Sequence, residues 1–362
     1  MAASLLGVPG DTRVSRLFKA IADALPPEPG PFFGGDALLG RLAARLGIVE
    51  ADRQGRIDGA RTRARQALTD ARAGRVCLVC ARSDGYPPRL WEIADPPIAL
   101  WARGDTRPLS MPAVAVVGSR RATPSSLAVA SALGRELALQ GLAVVSGLAR
   151  GVDGAAHAGA LEVGGPTIAV LGSGVDVIYP PEHERLAAEV SDAGAVISEF
   201  PPGTPPAAYR FPLRNRLISG LSLAVVVIEA HERSGSLITA RQALEQGRDV
   251  LAVPGSVGSG RHRGSHALIK DGARLVETVD DVLEEIGWQR RHARQAVGVD
   301  KHQEISHLGE TMAAGEAYSV DDLAQLTGWS AAEVLSELSA LELEDRVVRS
   351  GGEYFTKIDR RA

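Results

Sequence analysis

Residues 113–154 read AVAVVGSRRATPSSLAVASALGRELALQGLAVVSGLARGVDG, a pattern that predicts one strand–helix–strand unit. The apolar run Ala113–Val117 contains several β-branched residues and ends at Gly118, which indicates a buried parallel strand. Thr123 and Pro124 begin an Ala/Leu-rich helix, and a second strand, Leu142–Val145, follows it. Both strands run into a glycine-containing turn, at the edge where open α/β sheets bind ligands.

These two turns suit an anionic ligand. Glycine lets the backbone approach a ligand closely, and a helix N-terminus adds N–H groups and a positive dipole end. Arg120 and Arg121 lie beside the first turn, and Arg150 lies in the second. Tight turning alone would also explain the glycines. Two successive turns that each carry Gly and Arg nevertheless favour a phosphate-binding surface.

Composition narrows the class of protein. A length of 362 residues suggests two or three domains, and the net charge of −4 argues against a generally basic nucleic-acid binder while leaving a local basic patch open. No segment approaches the roughly 20 apolar residues of a membrane span, and the N-terminus lacks a signal-peptide pattern. We therefore expect a cytoplasmic protein.

The two cysteines, Cys77 and Cys80, form an isolated C-x-x-C. A zinc site would need further ligands nearby, and a thioredoxin-type motif would lie where a strand meets a helix. The surrounding residues Val76–Cys80 instead favour a short buried strand.

The chain divides by pattern into four parts. Residues 1–75 have helical periodicity in Val14–Leu25, Ala37–Leu46 and Ile57–Ala71 and predict a helical module. Residues 76–287 alternate strands and helices, which predicts an α/β core with a mostly parallel sheet. Residues 288–312 are polar and typical of a linker, and residues 313–362 form a compact C-terminal domain.

After the first two strands, the core alternation continues to its end. The predicted strands are Thr167–Leu171, Ala195–Glu199, Leu223–Glu229 and Val250–Val253, and the predicted helices are Asp153–Val163, Glu182–Ala193, Phe211–Leu221 and Ser236–Gln246.

The predicted helix at Phe211 places an aromatic residue beside Arg214, Asn215 and Arg216. Asn215 is the only asparagine of the chain, which suggests a specific hydrogen-bonding role. The two arginines point about 200° apart on a helix, so they cannot both face one pocket. We expect Arg214 to face the ligand and Arg216 to pair structurally.

The C-terminal domain reads as two capped helices, beginning after Ser319 and Ser330, followed by a hairpin across Ser350–Gly352. This order predicts a winged-helix-like domain. Its second helix carries several glutamates, which disfavour insertion into a DNA groove. A docking or dimer-supporting role is therefore favoured over duplex reading, which stays the alternative.

Together these motifs resemble the DprA/Smf family of DNA-processing proteins. The matching segments are GSR at 118–120, SGLARGVDGAAH at 146–157, FPLRNRLISGLS at 211–222, EAHERSGSLITARQALEQGRDVLAVPG at 229–255 and LIKDGA at 268–273. The resemblance implies an α/β, extended Rossmann-like core that binds single-stranded DNA, forms a homodimer and loads the RecA recombinase in natural transformation. It implies a binding protein rather than an enzyme, with no catalytic residue, metal or cofactor.

The expected DNA contacts lie along the carboxyl edge of the sheet. Backbone N–H groups of the Gly118 and Gly147–Gly151 turns and of the helix start at Gly235 are expected to hold phosphates. Side chains of this region are expected to add charge and a stacking face. The full set is Gly118, Ser119, Arg120, Ser146, Gly147, Gly151, Asp153, Phe211, Arg214, Asn215, Gly235, Ser236, Arg263 and Lys270.

An enzyme is the alternative. Nucleotide-processing hydrolases of the phosphoribohydrolase, lysine-decarboxylase-like type have related folds, but their Pro-Gly-Gly phosphate loop is missing at Glu229–Ala240. Asp153 and His157 lie four residues apart on one predicted helix face and could form an acid/base pair. We expect instead that Asp153 caps the helix and that His157 is structural or faces the DNA.

Overall fold

The computed structural model describes residues 42–81, 83–289, 316–343, 347–350 and 354–357, together with Ser15, Arg16, Lys19 and Met312. It divides the chain into two units, residues 1–293 and 294–362, which are described separately. The predicted helix Val14–Leu25 and the predicted linker fall mostly outside the described residues, and only residues 42–46 of the predicted helix Ala37–Leu46 are described.

The first unit alternates strands and helices, as predicted. Its strands are β1 Cys77–Cys80, β2 Ala99–Gly104, β3 Ala113–Gly118, β4 Ala143–Ser146, β5 Thr167–Leu171, β6 Ala195–Ser198, β7 Ala224–Ile228, β8 Asp249–Ala252 and β9 Arg274–Leu275. Its helices are α1 Glu50–Ala73, α2 Pro88–Glu92, α3 Pro124–Leu139, α4 Val152–Glu162, α5 Glu184–Ala193, α6 Arg210–Leu221, α7 Ser236–Glu245, α8 Arg263–Lys270 and α9 Val279–Glu285.

These strands form one nine-stranded sheet in the order β1-β2-β6-β5-β4-β3-β7-β8-β9. The pairs from β6 to β9 are parallel, whereas β1 and β2 join antiparallel at one edge, so the predicted mostly parallel sheet is confirmed. The chain leaves β3 towards β4 on one side and returns to β7 on the other. The carboxyl end of β3 is therefore a topological switch point, where such folds bind ligands.

Burial explains why the central strands are apolar throughout. On β3, Val114 and Val116 belong to one core cluster, while Ala115 and Val117 belong to another. Alternate side chains of a strand point to opposite faces, and helices cover both faces here. A polar side chain within β3 would therefore be buried whichever face it pointed to.

Three local expectations needed correction. Cys77–Cys80 is a strand, but it is the edge strand of the sheet in the described part of the chain, and Cys77 is exposed. The last helix of the predicted N-terminal module begins at Glu50 rather than at Ile57. The two-residue strand β9 was not predicted, since a run that short carries no periodicity.

The second unit contains helices α10, Val320–Thr327, and α11, Ala331–Leu343, with strands β10 Ala317–Ser319, β11 Val347–Ser350 and β12 Tyr354–Lys357. Its sheet has the order β10-β12-β11, so the predicted hairpin is confirmed and gains a third strand. Ser319 caps α10 by accepting the Asp322 N–H at 3.1 Å, as its position predicted. Leu323, Leu338 and Phe355 lie in a small core of its own.

Candidate nucleic-acid interface

A cleft of about 950 Å³ opens at the carboxyl edge of the sheet, beside the switch point at β3. Three segments form its walls: the turn after β3, the first turns of α6, and the segment between β7 and α7. Parallel strands end together at this edge, so residues more than a hundred positions apart in the chain meet in one space.

Nine residues of the predicted contact set line the cleft. They are Gly118, Ser119, Arg120, Asp153, Phe211, Arg214, Asn215, Gly235 and Ser236. The other five, Ser146, Gly147, Gly151, Arg263 and Lys270, are not among the lining residues. The cleft also contains residues that were not predicted from the sequence, among them Tyr179 and Glu229.

Three arginines of the cleft lie outside ion pairs in the described part of the chain. The side chains of Arg120, Arg121 and Arg233 line it and are exposed. Among the residues that the structure describes, none of these three guanidinium groups is in an ion pair. Other arginines of the first unit are in ion pairs, for example Arg107 with Asp105 and Arg185 with Glu189. The cleft is therefore locally basic on an acidic chain.

An aromatic cluster lies in the same cleft. The Arg120 guanidinium carbon is 5.3 Å from the centroid of the Phe211 ring, within the range of a cation–π contact. The Tyr179 ring centroid is 5.6 Å from that of Phe211. An aromatic residue in the loop after β5 was the sequence signal that could have identified Tyr179.

The turn after β4 is held from within, which corrects the prediction for Gly147. The Gly147 N–H donates to the Asp153 carboxylate at 3.1 Å, so it is not free to bind a phosphate. The Ala149 N–H points to the same carboxylate oxygen at 3.4 Å. Asp153 thus caps the turn that precedes α4 rather than α4 itself. Ser146 is fully buried and donates its hydroxyl to the Val116 carbonyl, so it cannot reach a ligand.

The Arg214 guanidinium is bonded to the backbone of this turn, contrary to the expectation that its charge faces the ligand. It is only 4% exposed, and its guanidinium donates to the carbonyl oxygens of Gly147, at 2.9 Å, and Val170. Burial lowers the pKa of Arg214 to about 10, and burial also raises the pKa of the Asp153 carboxyl. The two groups attract each other across the turn, so Arg214 acts as an internal brace.

Alanine at position 147 should destabilise the first unit by about 1–3 kcal/mol, the usual cost of overpacking. A Cβ at this position would lie 2.6 Å from the nearest guanidinium nitrogen of Arg214, which is 4% exposed and already bonded to two carbonyl oxygens. Urea unfolding followed by circular dichroism measures the change. Gly235→Ala is the matched control, since a Cβ at Gly235 meets nothing within 4 Å. Equal midpoints for the two variants would contradict the steric argument.

The start of α3 is already occupied by a carboxylate. Buried Glu229 accepts hydrogen bonds from the Thr123 N–H at 2.7 Å and from the Thr123 hydroxyl at 2.9 Å. Burial alone would raise the pKa of Glu229, but these hydrogen bonds hold it below its ordinary value. The predicted role of this helix N-terminus in binding a phosphate is thereby filled by a residue of the chain.

Glu229 also arranges the cleft wall. Its backbone has φ of +50°, a left-handed conformation that strains a non-glycine residue by about 1–3 kcal/mol. The conformation directs the carboxylate back to Thr123 and towards Arg261, which lies 3.4 Å away. The sequence places Glu229 at the end of a strand but gives no signal of this inward contact.

Arg263 and Lys270 lie on α8, adjacent to the cleft rather than in it. Arg263 is exposed and 3.7 Å from the Glu232 carboxylate. The first turn of α8 is fastened to the cleft wall, because the Ser265 hydroxyl accepts the Ala230 N–H at 3.0 Å. Their predicted contact with DNA stays a prediction.

Comparison with known proteins identifies the family. Residues 77–287 match the family model described as DNA recombination-mediator protein A, and residues 308–353 match the DprA winged helix domain. The chain belongs to the DprA family of DNA-processing proteins. The predicted winged-helix-like domain and the resemblance noted in the sequence are both confirmed.

Curated DprA and Smf proteins are similar over most of their length. The chain is 42% identical to Protein Smf of Escherichia coli over 290 residues, 76% of each protein. It is 48% identical to the DNA processing protein DprA of Streptococcus pneumoniae over 206 residues, 56% of this chain and 71% of that protein.

Two solved DprA structures share the fold. The X-ray structure of the Streptococcus pneumoniae protein matches with a TM-score of 0.66 at 36% identity, covering 80% of this chain and 97% of that one. The Helicobacter pylori structure matches with a TM-score of 0.53 at 30% identity, covering 58% and 95%. The latter structure concerns the single-stranded DNA binding mode of that protein.

The acid/base pair considered for the alternative enzyme does not form in this DprA-family chain. His157 is fully buried, and its Nδ1 lies 2.7 Å from the Thr167 hydroxyl. Burial lowers the pKa of His157 to about 3, so the ring stays neutral. The carboxylate of Asp153 is engaged by the N–H groups of the turn. Both side chains therefore have structural contacts here.

No described helix is long and apolar enough to cross a membrane. No group of three or more described His, Cys, Asp and Glu side chains could hold a metal ion.

Proposed function

We propose that this protein binds single-stranded DNA in the cleft and acts in the cytoplasm as a homodimeric mediator. It protects incoming DNA in natural transformation and loads the RecA recombinase onto it. The observation that carries the proposal is the coincidence of three unpaired arginines and an exposed aromatic cluster in one cleft at the switch point. The single-stranded DNA binding of the Helicobacter pylori relative supports it.

The arginines account for affinity. Nucleic-acid phosphates bind cationic side chains and release condensed counterions, so the term is strong and depends on salt. Arg120, Arg121 and Arg233 provide this charge at the mouth of the cleft. Since the N–H groups of Gly147 and Thr123 already have internal partners, side-chain charge takes the place of these two backbone donors.

The aromatic cluster accounts for the preference for a single strand. An unpaired base exposes both of its π-faces and can stack on an aromatic side chain, whereas a duplex buries these faces within its own stack. Phe211 is half-buried in the cleft and held beside Arg120. A phosphate at Arg120 would leave its attached base near these rings.

Arg120→Ala is expected to weaken binding of a labelled poly-dT oligonucleotide about tenfold, which corresponds to roughly 1.4 kcal/mol. Loss of one phosphate contact should also make the slope of log affinity against log salt shallower by about 0.7. Fluorescence anisotropy over a salt series measures both quantities. Arg185→Ala is the charge-matched control, because Arg185 is 90% exposed on α5 and does not line the cleft.

Two results would contradict the proposal. One is absence of poly-dT binding by the wild-type protein at low salt, and the other is an equal affinity for duplex and single strand. In the first case, hydrolysis of nucleoside monophosphates would be assayed, since the alternative is a nucleotide-processing hydrolase. Asp153→Asn would then be the first variant, because Asp153 lines the cleft.

Recombinase loading and dimer formation have their own tests. A dimer would present two clefts to one strand and so raise the effective affinity for long DNA. Sedimentation should give twice the mass of the 362-residue chain. Addition of the protein should accelerate assembly of RecA filaments on single strands, and an unchanged assembly rate would contradict the mediator role.

A further inference from the structure

We infer that Tyr179 is the outer ring of a two-ring platform on which an unpaired nucleobase stacks, with Phe211 as the inner ring. The inference rests on the proposed function, since it names a further binding residue of the same cleft. The ligand class is a single-stranded nucleic acid that carries bases, rather than a phosphate chain alone.

Tyr179 lies in the loop between β5 and α5, on the wall of the cleft. Its ring centroid is 5.6 Å from that of Phe211, and the two planes are inclined by 38°. Aromatic pairs prefer centroid distances of about 4.5–7 Å, so the rings form one contiguous surface.

Tyr179 is more accessible to a ligand than Phe211. It is 38% exposed, although a tyrosine ring buried against its neighbours would contribute more to stability. Phe211 is less accessible, because the backbone of Gly172 and the guanidinium of Arg120 lie against its ring. A Cβ built at Gly172 would be 3.0 Å from Phe211 Cδ1. A base entering the cleft therefore reaches Tyr179 before Phe211.

The positive charge of Arg120 lies against the inner ring of this platform, Phe211. A phosphate bound at Arg120 and a base stacked on Tyr179 can therefore belong to neighbouring nucleotides. Stacking of this kind tolerates any base, because every base has a π-face. The platform thus serves binding along a strand without selecting its sequence.

A second exposed tyrosine provides a matched control. Tyr209 is 56% exposed at the start of α6, but it does not line the cleft. The guanidinium of Arg210 lies 5.3 Å from its ring centroid. Tyr209→Ala therefore removes the same side-chain atoms as Tyr179→Ala, but at a site outside the platform.

The experiment compares two ligands of equal length, poly-dT and an abasic oligonucleotide, by fluorescence anisotropy at low salt. Tyr179→Ala should weaken poly-dT binding about 5- to 10-fold, at the lower end of the effect of losing one stacked base. Its affinity for the abasic strand and its salt slope should match those of the wild type. Tyr179→Phe should retain the wild-type affinity for poly-dT, and Tyr209→Ala should bind both oligonucleotides with wild-type affinity.

The outcomes separate the inference from the proposed function. If the wild type does not bind poly-dT, the proposed function fails, and the inference fails with it. If the wild type binds and Tyr179→Ala binds equally well, the stacking role alone is overturned. An equal loss on poly-dT and on the abasic strand overturns it as well, because the contact would then not involve a base.

Discussion

Arg216→Met is expected to lower the free energy of unfolding of the first unit by about 3–5 kcal/mol, the usual effect of breaking a buried ion pair. Arg216 is 5% exposed and binds two carboxylates. Its Nε lies 3.1 Å from Asp95, and its Nη2 lies 2.8 Å from one oxygen of Glu199 and 3.0 Å from the other. Methionine would leave both carboxylates, which are 13% and 9% exposed, without a cation.

The charge on Arg216 is secured by its partners. Burial alone would lower the pKa of Arg216, but Glu199 and Asp95 raise it above its ordinary value. Asp95 precedes β2, Glu199 follows β6, and Arg216 lies on α6, the helix that also carries Phe211. The network therefore fixes the helix that positions the aromatic cluster of the cleft.

Urea unfolding followed by circular dichroism measures this effect. Arg107→Met is the control, because Arg107 pairs with Asp105 while 90% exposed, and an ion pair in solvent contributes little to stability. Arg216→Lys keeps the positive charge but loses the bidentate contact, so it should lower the free energy of unfolding less than Arg216→Met does. If Arg216→Met changed the free energy of unfolding by less than about 1 kcal/mol, the network would contribute no more than an exposed ion pair, and the argument would be refuted.

The second large effect is a loss of stability in acid caused by His157. The ring is fully buried, and among the described residues its Nε2 has no hydrogen-bond partner. Its pKa is about 3 in the folded protein, against an ordinary value of 6.5. Above pH 6.5 both states hold a neutral ring. Below pH 6.5 only the unfolded chain takes up the proton, so stability falls until pH 3.

The size of this loss follows from proton linkage. Each pH unit between the two pKa values is worth about 1.4 kcal/mol, so the full contribution is roughly 4–5 kcal/mol. The comparison with His157→Gln isolates it, because all other titrating groups contribute equally to both proteins. We expect the stability of the wild type relative to this variant to fall by about 2 kcal/mol between pH 7.5 and pH 5.

The pH series needs only urea unfolding of the two proteins at each pH. A difference that stays constant from pH 7.5 to pH 5 would mean that His157 does not remain neutral when folded. Far-ultraviolet circular dichroism at pH 7.5 first establishes that the glutamine variant has the wild-type helix content.

Local patterns were sufficient for the central strands of the core and for the helices between them. The strand predicted at Ala113–Val117 is observed at Ala113–Gly118, and the helix predicted at Ser236–Gln246 is observed at Ser236–Glu245. Period-2 and period-3.6 patterns report which residues are buried, and burial is decided over a few neighbouring positions. Edges were harder. Val76–Cys80 has the composition of a buried strand, yet it lies at the edge, which depends on the order of the strands.

The cleft was predictable in place but not in its contacts. Arg214 and Arg216 differ by two positions, and only the packing of α6 shows that both point to internal carboxylates or carbonyl groups. Glu229 reaches Thr123, 106 residues earlier, and Arg214 reaches Gly147, 67 residues earlier. No sequence period spans such separations, so the sequence could not show that the Thr123 N–H is bonded to Glu229 or that Arg214 is bonded to the Gly147 carbonyl.

The amino-acid sequence by itself determined the α/β core, its glycine-rich carboxyl edge, the winged-helix domain and the DprA family, because all of these follow from short patterns and contiguous motifs. Only the tertiary structure decided which charges remain free. It bonded the guanidinium groups of Arg214 and Arg216 to internal partners, left Arg120 in the cleft without an ion pair among the described residues, and placed Tyr179 beside Phe211. The physical reason is that a side chain's free charge or exposed ring is set by partners that the fold brings together.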